Sequence, residues 1–314
     1  MDIIITPFNV TNNKYIDIHK ELFHEMNYEV KKITQANLFK RSESVFVCNW
    51  LEDYLKGSGL TLTKNVVKFL MICIYGRIIA KKFICVRHNL KPHLNYKNEK
   101  IYRCGLKFLE AISDRIIYHG LYDISPVYEY VPHPLYDQEL VLSDNFREIE
   151  YAFYGAISRY KGLVELLNEW PATYKLLIKG ACNDKNLMSD IESVIKQRKL
   201  ENVVKVEYGF IQDEELNTLM KKTRYLILPH ENDSMIVSGA FYHGISYGAN
   251  IIARSGRFSN SVSDMFEFCT SYEPGKIETA LSRLTYVQPS EVKKVAIALF
   301  GKEICKKTWL SMLN

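Results

Sequence analysis

Hydrophobic positions along this chain fall into two kinds of segment that follow one another in turn. Short apolar runs are typical of buried strands, and longer stretches with apolar residues three and four positions apart are typical of helices. In the first half of the chain the short runs predict strands at 2–6, 29–33, 45–49, 83–87 and 115–118. The longer stretches predict helices at 15–26, 64–81 and 100–112. This alternation indicates parallel sheets joined by crossover helices.

A second series of the same kind begins after an acidic, polar stretch at 137–148. It predicts strands at 149–154, 174–179, 203–206, 224–228 and 250–253, with helices at 162–169, 186–198, 214–221 and 238–246. Further helices are predicted from 277 to 313. We therefore predict an α/β protein with two Rossmann-like domains at 1–140 and 141–288. The C-terminal helices at 289–314 are expected to pack back toward the first domain.

Composition places the chain among ordinary globular proteins, with 47% hydrophobic and 25% charged residues. The first residues carry neither the basic start nor the long apolar run of a secretory signal, so we expect a cytoplasmic location. The seven cysteines contain no Cys-x-x-Cys pair. We expect reduced thiols and no metal site.

Positive charge is concentrated in one apolar-rich segment. Between Lys56 and Lys107 there are twelve Lys or Arg residues and a single acid, Glu99, although the net charge of the whole chain is only +5. Such a segment is typical of a surface that faces an anionic partner, although a solvated surface is the simpler interpretation. Anionic lipid, a lipid-linked diphosphate and nucleic acid are candidates. Because basic residues alternate with apolar ones here, we favour a membrane surface.

Two loops that follow predicted strands could bind a diphosphate. Ligands of open parallel sheets bind beyond the carboxyl ends of the strands, and backbone N–H groups at a helix start favour anions. The first loop follows strand 149–154 and contains Gly155, Ser158, Arg159 and Lys161. The second follows strand 224–228 and leads to Ser238, a good N-cap, and Gly239. A plain capped helix and a solvated loop are the alternatives.

Three further places could contact a ligand. Phe210 and Ile211 follow strand 203–206 and could line a base pocket, although core packing also accounts for them. His88, Asn89 and His93 follow strand 83–87, where histidine can hydrogen-bond a sugar hydroxyl or move a proton. His133 stands between two prolines, which suits either a contact near a hinge or a rigid turn.

Several segments, in this order, resemble elements of GT-B glycosyltransferases, and more narrowly of the family 4 bacterial exopolysaccharide, capsule and O-antigen transferases. Residues 45–52 resemble a strand that usually ends His-x-His-Trp-x-Glu, and residues 87–93 resemble a His-Asn-x-x-Pro-His element. Residues 153–162 resemble the family's Phe-x-Gly-x-Ile-x-x-Tyr-Lys-Gly phosphate loop. Residues 130–134, 237–248 and 250–256 resemble its hinge strand, its Thr-Ser-Gly-Ala helix and its Pro-Val-Ile-Ala strand. The resemblance covers nearly the whole chain.

The chain departs from the family pattern at several positions. The Glu-x7-Glu motif is missing, with Met235 and His243 in the places of its two glutamates. Ser158 stands where the phosphate loop usually has arginine, and Asn49 replaces a histidine. The glycine-rich loop after the first strand is replaced by a segment that begins at Pro7.

The resemblance implies a GT-B fold, with two doubly wound domains and a cleft between them, and transfer of a sugar from a UDP- or GDP-sugar to a saccharide acceptor. The second domain would hold the donor. It assigns catalytic roles to His88, Lys161 and Arg159. It assigns donor binding to Gly155, Ser158, Phe210, Ile211, Ser238, Gly239 and His133. It assigns acceptor binding to Asn89, His93 and Trp50.

The same resemblance implies neither a metal nor a cofactor. The expected acceptor is lipid-linked, in surface polysaccharide synthesis such as that of lipopolysaccharide or capsule. The enzyme would then lie at the inner face of the cytoplasmic membrane and dock through the segment from Lys56 to Lys107, with no nucleic acid as partner. Alternatives are a nucleotide-sugar epimerase on the same scaffold, a nucleic-acid-directed glucosyltransferase or binder that uses the basic segment, and a binding module with a decayed site.

Overall fold

The computed structural model describes residues 1–10, 13–36, 42–90, 98–139, 147–230 and 236–314. Contacts within the chain group these residues into two compact units. The first comprises Met1–Tyr136, Ser234–Val237 and Phe300–Asn314, and the second comprises Asp137–Asp233 and Ser238–Leu299. Each unit is built on one six-stranded sheet. Within the described ranges, no helix is both long and apolar enough to cross a membrane.

The first unit contains a parallel sheet with the strand order β2-β1-β3-β4-β5-β6. Its strands are β1 (Asp2–Thr6), β2 (Glu29–Lys32), β3 (Ser42–Asn49), β4 (Ala80–Arg87), β5 (Arg115–Tyr118) and β6 (Tyr128–Tyr130). Its helices are α1 (Tyr15–Glu25), α2 (Gly59–Ile79), α3 (Glu99–Ile112) and the C-terminal α11 (Lys302–Leu313).

The second unit repeats this architecture with the strand order β12-β11-β10-β7-β8-β9, again parallel. Its strands are β7 (Ile149–Tyr154), β8 (Leu176–Gly180), β9 (Val204–Tyr208), β10 (Thr223–Leu228), β11 (Asn250–Arg254) and β12 (Cys269–Tyr272). Its helices are α4 (Leu163–Glu169), α5 (Lys185–Gln197), α6 (Asp213–Lys222), α7 (Gly239–Ser246), α8 (Arg257–Met265), α9 (Ile277–Leu281) and α10 (Pro289–Phe300).

The alternating direction of side chains along the strands explains why helices cover both faces of the first sheet. Successive side chains of a strand point to opposite faces. Ile3 and Ile5 of β1 therefore pack in one core cluster, which includes Trp309 of α11, whereas Ile4 packs in the other, which includes Phe69 of α2. Strands that are apolar on both faces need cover on both faces, and this need produces the doubly wound architecture.

The strands and helices predicted from the hydrophobic pattern are all present, and the fold class is confirmed. The pattern missed β6, α8 and β12. The strand β12 was missed because two of its four residues, Thr270 and Ser271, are polar. The helix α8 was missed because few of its residues are apolar, and only Phe258 and Val262 carry its hydrophobic contact with the core.

The strand order reverses beside the first strand of each sheet. In the first unit the reversal lies between β1 and β3, and in the second it lies between β7 and β10. At such a point the loops that leave neighbouring strands run to opposite faces and open a crevice at the carboxyl ends, where ligands of doubly wound folds bind. The residues that follow β1, β3, β7 and β10 therefore lie where a ligand of each sheet would bind.

Candidate functional site

A lysine and a histidine meet at the switch point of the second sheet. Lys161 ends a short 3-10 turn (Arg159–Lys161) in the loop after β7, and His230 follows β10 after a single proline. The Lys161 ammonium donates a hydrogen bond to Nε2 of His230. The loop itself is fixed to the sheet, since the backbone N–H of Ile157 donates to the carbonyl of Ala181, beyond β8, at 2.8 Å.

Lys161 is a partly desolvated cation. Burial lowers the pKa of its ammonium from 10.5 to about 8. Among the described residues no carboxylate forms an ion pair with it; besides His230, the Tyr160 ring lies 4.9 Å from its ammonium. A desolvated cation without an acidic partner is a natural site for an anion, because a bound anion supplies the missing charge.

Glycine allows the loops around Lys161 to approach closely. Gly162 has a left-handed backbone with φ of +67°, and a Cβ added there would lie 2.3 Å from the carbonyl oxygen of Pro229. A Cβ on Gly180 would lie 1.7 Å from the carbonyl oxygen of Gly155. Side chains at either position would therefore push apart the loops that follow β7, β8 and β10.

We expect Gly162→Ala to weaken both the fold of the second unit and any anion binding at Lys161. A left-handed backbone alone costs an L-residue roughly 1–2 kcal/mol, and the contact with Pro229 adds to this cost. Gly275→Ala is the matched control, since Gly275 has φ of +80° but no atom within 4 Å of the added Cβ. Urea denaturation should therefore show a larger loss for Gly162→Ala, and equal losses would refute the importance of the Pro229 contact.

The N-terminus of α7 lies in the chain segment that follows β10. Ser238 is its N-cap, and the Ser238 Oγ accepts a hydrogen bond from the backbone N–H of Phe241 at 3.3 Å. Gly239 opens the helix without a side chain. The free N–H groups and the helix dipole at this end favour a negative charge.

The other predicted donor residues have different surroundings. Arg159 is 57% exposed and pairs with Asp184 at 3.0 Å and Asp190 at 3.1 Å, so a bound diphosphate would have to compete with two carboxylates for it. Phe210 is 54% exposed just after β9, whereas Ile211 is buried. Ser158 has an extended backbone directly before the 3-10 turn, and Gly155 has φ of +125°.

In the first unit, His88 lies at the carboxyl end of β4 beside its predicted neighbours. Its Nε2–H donates to Oδ1 of Asn49 at 3.2 Å, and Asn49 in turn donates to the carbonyl of Thr6 at the end of β1. The Trp50 ring stacks on the His88 ring with a centroid distance of 4.3 Å. Trp50 has a left-handed backbone with φ of +53°, which is uncommon for a bulky residue and typical of functional sites.

Around Tyr15 lies a buried histidine cluster, which we define as His19, His88, His119 and His133. Each of these rings has its centroid between 4.2 and 5.5 Å from that of Tyr15. Tyr15 donates to Nε2 of His119 at 2.6 Å, and Nδ1 of His119 donates to the carbonyl of Val131 at 2.7 Å.

Burial lowers the pKa of every ring in the histidine cluster. The pKa falls to about 3 for His19 and to about 4 for His119, and it lies well below 6.5 for His88 and His133. All four rings are therefore neutral at neutral pH. A neutral His88 that donates through Nε2 keeps Nδ1 as a hydrogen-bond acceptor, which suits contact with a hydroxyl group.

His133, predicted as a donor contact, belongs to this histidine cluster of the first unit, and Nδ1 of His133 donates to the carbonyl of Pro134 at 2.8 Å. Its role in donor binding stays a prediction. The predicted acceptor residue Asn89 is buried next to His88. His93, predicted for the same role, lies outside the described residues.

A buried ion pair that the sequence analysis did not single out positions His88 and Asn89. Oε1 of Glu52 accepts hydrogen bonds from the backbone N–H groups of His88 at 2.9 Å and Asn89 at 3.1 Å. Glu52 also faces Arg87, with 3.8 Å between Nε and Oε1, and both side chains are buried. Burial raises the pKa of Glu52, and the Arg87 guanidinium opposes that rise.

Sequence reasoning also missed Tyr15 and His230. His230 carried a usable signal, because it follows a strand at the point where doubly wound sheets bind ligands. Tyr15 carried no such sequence signal, because it begins a helix and contacts His119 only in the folded chain. Within the described ranges, His, Cys, Asp and Glu residues form no group of three or more that could hold a metal ion.

Solved structures resemble this chain across its length. HepE of Anabaena, in complex with UDP and glucose, is 12% identical with a TM-score of 0.65, over 100% of this chain and 99% of its own. AviGT4, a glycosyltransferase involved in avilamycin A biosynthesis, is 13% identical with a TM-score of 0.60, over 100% and 97%. A UDP-forming α,α-trehalose-phosphate synthase from Burkholderia vietnamiensis is 8% identical with a TM-score of 0.61, over 88% and 73%.

No protein-family model matches the sequence, and no curated protein does. At identities this low, the structural likeness shows the fold alone. It agrees with the two parallel sheets, their strand orders and their helices on both faces. The chain therefore has the GT-B fold, with two Rossmann-like units.

Proposed function

We propose that this protein is a glycosyltransferase that moves a sugar from a nucleotide-diphosphate sugar to a saccharide acceptor. The observation that carries the proposal is Lys161, a desolvated cation held against His230 at the switch point of the second sheet. The N-terminus of α7 follows the same strand as His230 and offers a second anion-binding group. The complex of the similar HepE structure with UDP and glucose supports this reading.

In this reaction the bond between the sugar C1 and the diphosphate oxygen breaks, and a new bond joins C1 to the acceptor hydroxyl oxygen. Positive charge develops on the sugar ring and negative charge on the departing diphosphate, which leaves with the electron pair of the broken bond, while the hydroxyl proton passes to the diphosphate or to water. Lys161 and the backbone N–H groups at Ser238 and Gly239 would stabilise the diphosphate. The exposed ring of Phe210 would contact the base.

We assign the acceptor side to the first unit. His88, Asn49 and Trp50 present a neutral imidazole, an amide and an indole at the ends of β3 and β4. Aromatic faces and uncharged hydrogen-bonding groups suit sugar hydroxyls and sugar ring faces. We infer that His88 contacts the acceptor hydroxyl or the transferred sugar, and that Glu52 holds it in place.

We further propose the finer features that the family resemblance implies. The donor is a UDP- or GDP-sugar, with UDP favoured by the HepE complex with UDP and by the similarity to a UDP-forming synthase. Catalysis needs neither a metal ion nor a cofactor, because Lys161 and the α7 N-terminus neutralise the leaving group. The acceptor is lipid-linked, as in family 4 enzymes of surface polysaccharide synthesis, and the enzyme works at the cytoplasmic face of the membrane.

Nucleotide binding should depend on pH through Lys161. The pKa of Lys161 in the free protein is about 8, so its positive charge is lost as the pH rises above 8. A bound diphosphate raises this pKa, and the Kd for UDP should therefore weaken by up to roughly tenfold per pH unit above pH 8. Lys161→Arg keeps its charge at every pH and should flatten the profile. Calorimetric titration with UDP measures this, and identical profiles for both proteins would contradict the role of Lys161.

A thermal-shift screen against UDP, GDP and their common sugar conjugates tests the proposed function. A ligand at a hundred times its Kd stabilises the folded state by roughly 2.7 kcal/mol, which is readily seen as a rise in Tm. We expect a rise with one nucleotide family and a smaller rise with Lys161→Ala, because the variant lacks one charged contact to the diphosphate. Donor consumption without any saccharide acceptor, with an isomerised sugar as product, would favour an epimerase instead. No rise with any nucleotide would favour a decayed binding module.

A further inference from the structure

Helix α2 exposes an apolar row to solvent. It has no acidic residue in its 21 positions, and apolar side chains point both into the core and outward. The outward ones, spaced mostly three and four apart, are Leu60, Val67, Leu70, Met71, Ile74 and Ile78. Leu60 is 80% exposed and Met71 is 64% exposed. An apolar row of this length on a surface helix is typical of a contact surface.

Beside this row lies an apolar pocket between α2 and α3, with a volume of about 360 Å³. That volume falls within the range of roughly 300–1,000 Å³ that is usual for small-molecule sites. Its apolar lining consists of Leu55, Val66, Phe69, Leu70, Ile101 and Phe108. Lys100 and Cys104 of α3 also line it, and both are exposed.

Four exposed lysines beside the apolar row and the pocket form no ion pair with any residue that the structure describes, although the Lys68 ammonium lies 5.0 Å from the Tyr54 ring. Lys64 and Lys68 are exposed on α2, and Lys100 and Lys107 are exposed on α3. The two acids of α3 have other partners, since Glu99 pairs with Arg103 and Glu110 accepts a hydrogen bond from the Tyr128 hydroxyl at 2.7 Å. Asp114, just beyond α3, pairs with Arg77. An apolar row flanked by cations matches an anionic lipid bilayer, whose headgroups are negative and whose interior is apolar.

We propose that the exposed face of α2, together with the α2–α3 pocket, binds an anionic phospholipid membrane, with the pocket taking an acyl chain of one lipid. Lys100 then faces the phosphate of that lipid. A second copy of this chain fits less well, because a symmetric interface would bring the same cations together and they would repel. The proposal deepens the membrane association in the proposed function, but its tests need no sugar transfer.

Cys104 reports directly on the pocket. Of the seven cysteines it is the one exposed thiol, Cys182 is partly exposed, and the others are buried. In a Cys182→Ser background, a water-soluble maleimide should therefore label Cys104 alone. Vesicles of phosphatidylglycerol should slow this labelling at least roughly tenfold. The free energy of burying one large apolar side chain corresponds to at least roughly a tenfold change in the ratio of occupied to free pocket. Phosphatidylcholine vesicles should leave the labelling rate unchanged.

A short-chain phospholipid below its micelle concentration separates pocket occupancy from adsorption to a surface. Dihexanoyl phosphatidylglycerol should protect Cys104 with a saturating dependence on its concentration. Absence of protection by this monomeric lipid would overturn the pocket as an acyl-chain site. Protection by higher protein concentration alone, together with a doubled mass, would overturn the proposal in favour of a dimer.

Two kinds of variant test the surface itself by vesicle sedimentation. Leu70→Glu places a carboxylate at the edge of the pocket and should weaken binding to phosphatidylglycerol vesicles at least roughly tenfold. Val127→Glu is the matched control, since Val127 is also exposed in the first unit but lies outside α2 and α3, and it should bind normally. The double variant Lys64→Glu, Lys68→Glu should also bind phosphatidylglycerol vesicles at least roughly tenfold more weakly.

All of these residues are exposed, so the variants should keep the wild-type Tm. Normal vesicle binding by Leu70→Glu and by the lysine double variant would overturn the proposal. Donor binding in the thermal-shift screen does not involve α2, so it should be unchanged in both. A protein that binds vesicles but no nucleotide would refute the proposed transferase activity and leave this surface intact.

Discussion

Replacing Lys161 by alanine should lower kcat by roughly 10²–10³ while leaving the protein folded. The ammonium is the desolvated cation at the switch point of the second sheet, and it would stabilise charge that develops on the leaving diphosphate. Its removal takes away a charged contact that strengthens in the transition state, as deletion of an oxyanion donor does. Stability should not fall, since the buried ammonium is itself disfavoured by burial. Steady-state kinetics and urea denaturation of the same preparation measure both effects.

Lys196→Ala is the control for this change, because Lys196 is an exposed lysine in the last turn of α5 in the same unit. It should turn over at the wild-type rate. A Lys161→Ala protein with wild-type kcat would refute the assignment. A large loss of stability would show instead that the lysine serves mainly to hold the loops after β7 and β10 together.

Replacing Glu52 by alanine should destabilise the protein by roughly 3–5 kcal/mol, the usual result of removing one partner of a buried ion pair. Glu52 faces Arg87 and accepts hydrogen bonds from the backbone of His88 and Asn89. The guanidinium of Arg87 would remain buried without its carboxylate, although Tyr128 Oη and the carbonyl of Asn89 would still accept from it. Urea denaturation of the purified variant measures the loss.

Glu43→Ala is the matched control, since Glu43 pairs with Lys81 at 2.7 Å but both side chains are exposed. Exposed ion pairs contribute little to folding stability, so we expect no measurable change in the free energy of unfolding. Glu52→Gln should fall between the two, because its amide oxygen can still accept from the backbone N–H groups. Equal stability of Glu52→Ala and Glu43→Ala would refute the structural role of the buried pair.

The fold was predictable because each strand and helix carries its own pattern. In β1, the residues Ile3, Ile4 and Ile5 are buried on alternate faces, so an apolar run identifies the strand without knowledge of its neighbours. The same pattern did not predict strand β12, because its middle residues Thr270 and Ser271 are polar. This segment is a strand because it pairs with β11.

The candidate site was predictable only where its signal is local in sequence. Lys161 stands in a loop between a strand and a helix, and that position suggests an anion site. Its partner His230 lies 69 positions further along the chain, and no periodicity links the two. For Arg159 the local sequence suggested a phosphate contact that the folded chain does not favour. Its guanidinium pairs with Asp184 and Asp190, which lie 25 and 31 positions away in sequence.

The histidine cluster was not predictable either, because its members lie far apart in sequence. Tyr15 and His119 are 104 positions apart, and the two rings meet only because α1 packs beside the carboxyl end of the first sheet. Single histidines after strands suggested polar contacts with a sugar. The burial that lowers their pKa values and keeps them neutral follows from the tertiary packing, which no local pattern reports.

The release of nucleoside diphosphate from UDP- and GDP-sugars is the decisive test of sugar transfer by this protein. Purified protein would be incubated with each donor, with and without a saccharide acceptor, and free UDP or GDP would be measured over time beside the Lys161→Ala variant. We predict release from one nucleotide family, even if only by slow transfer of the sugar to water, and a rate lower by roughly 10²–10³ for the variant. Release from no donor, or equal rates for the two proteins, would contradict it.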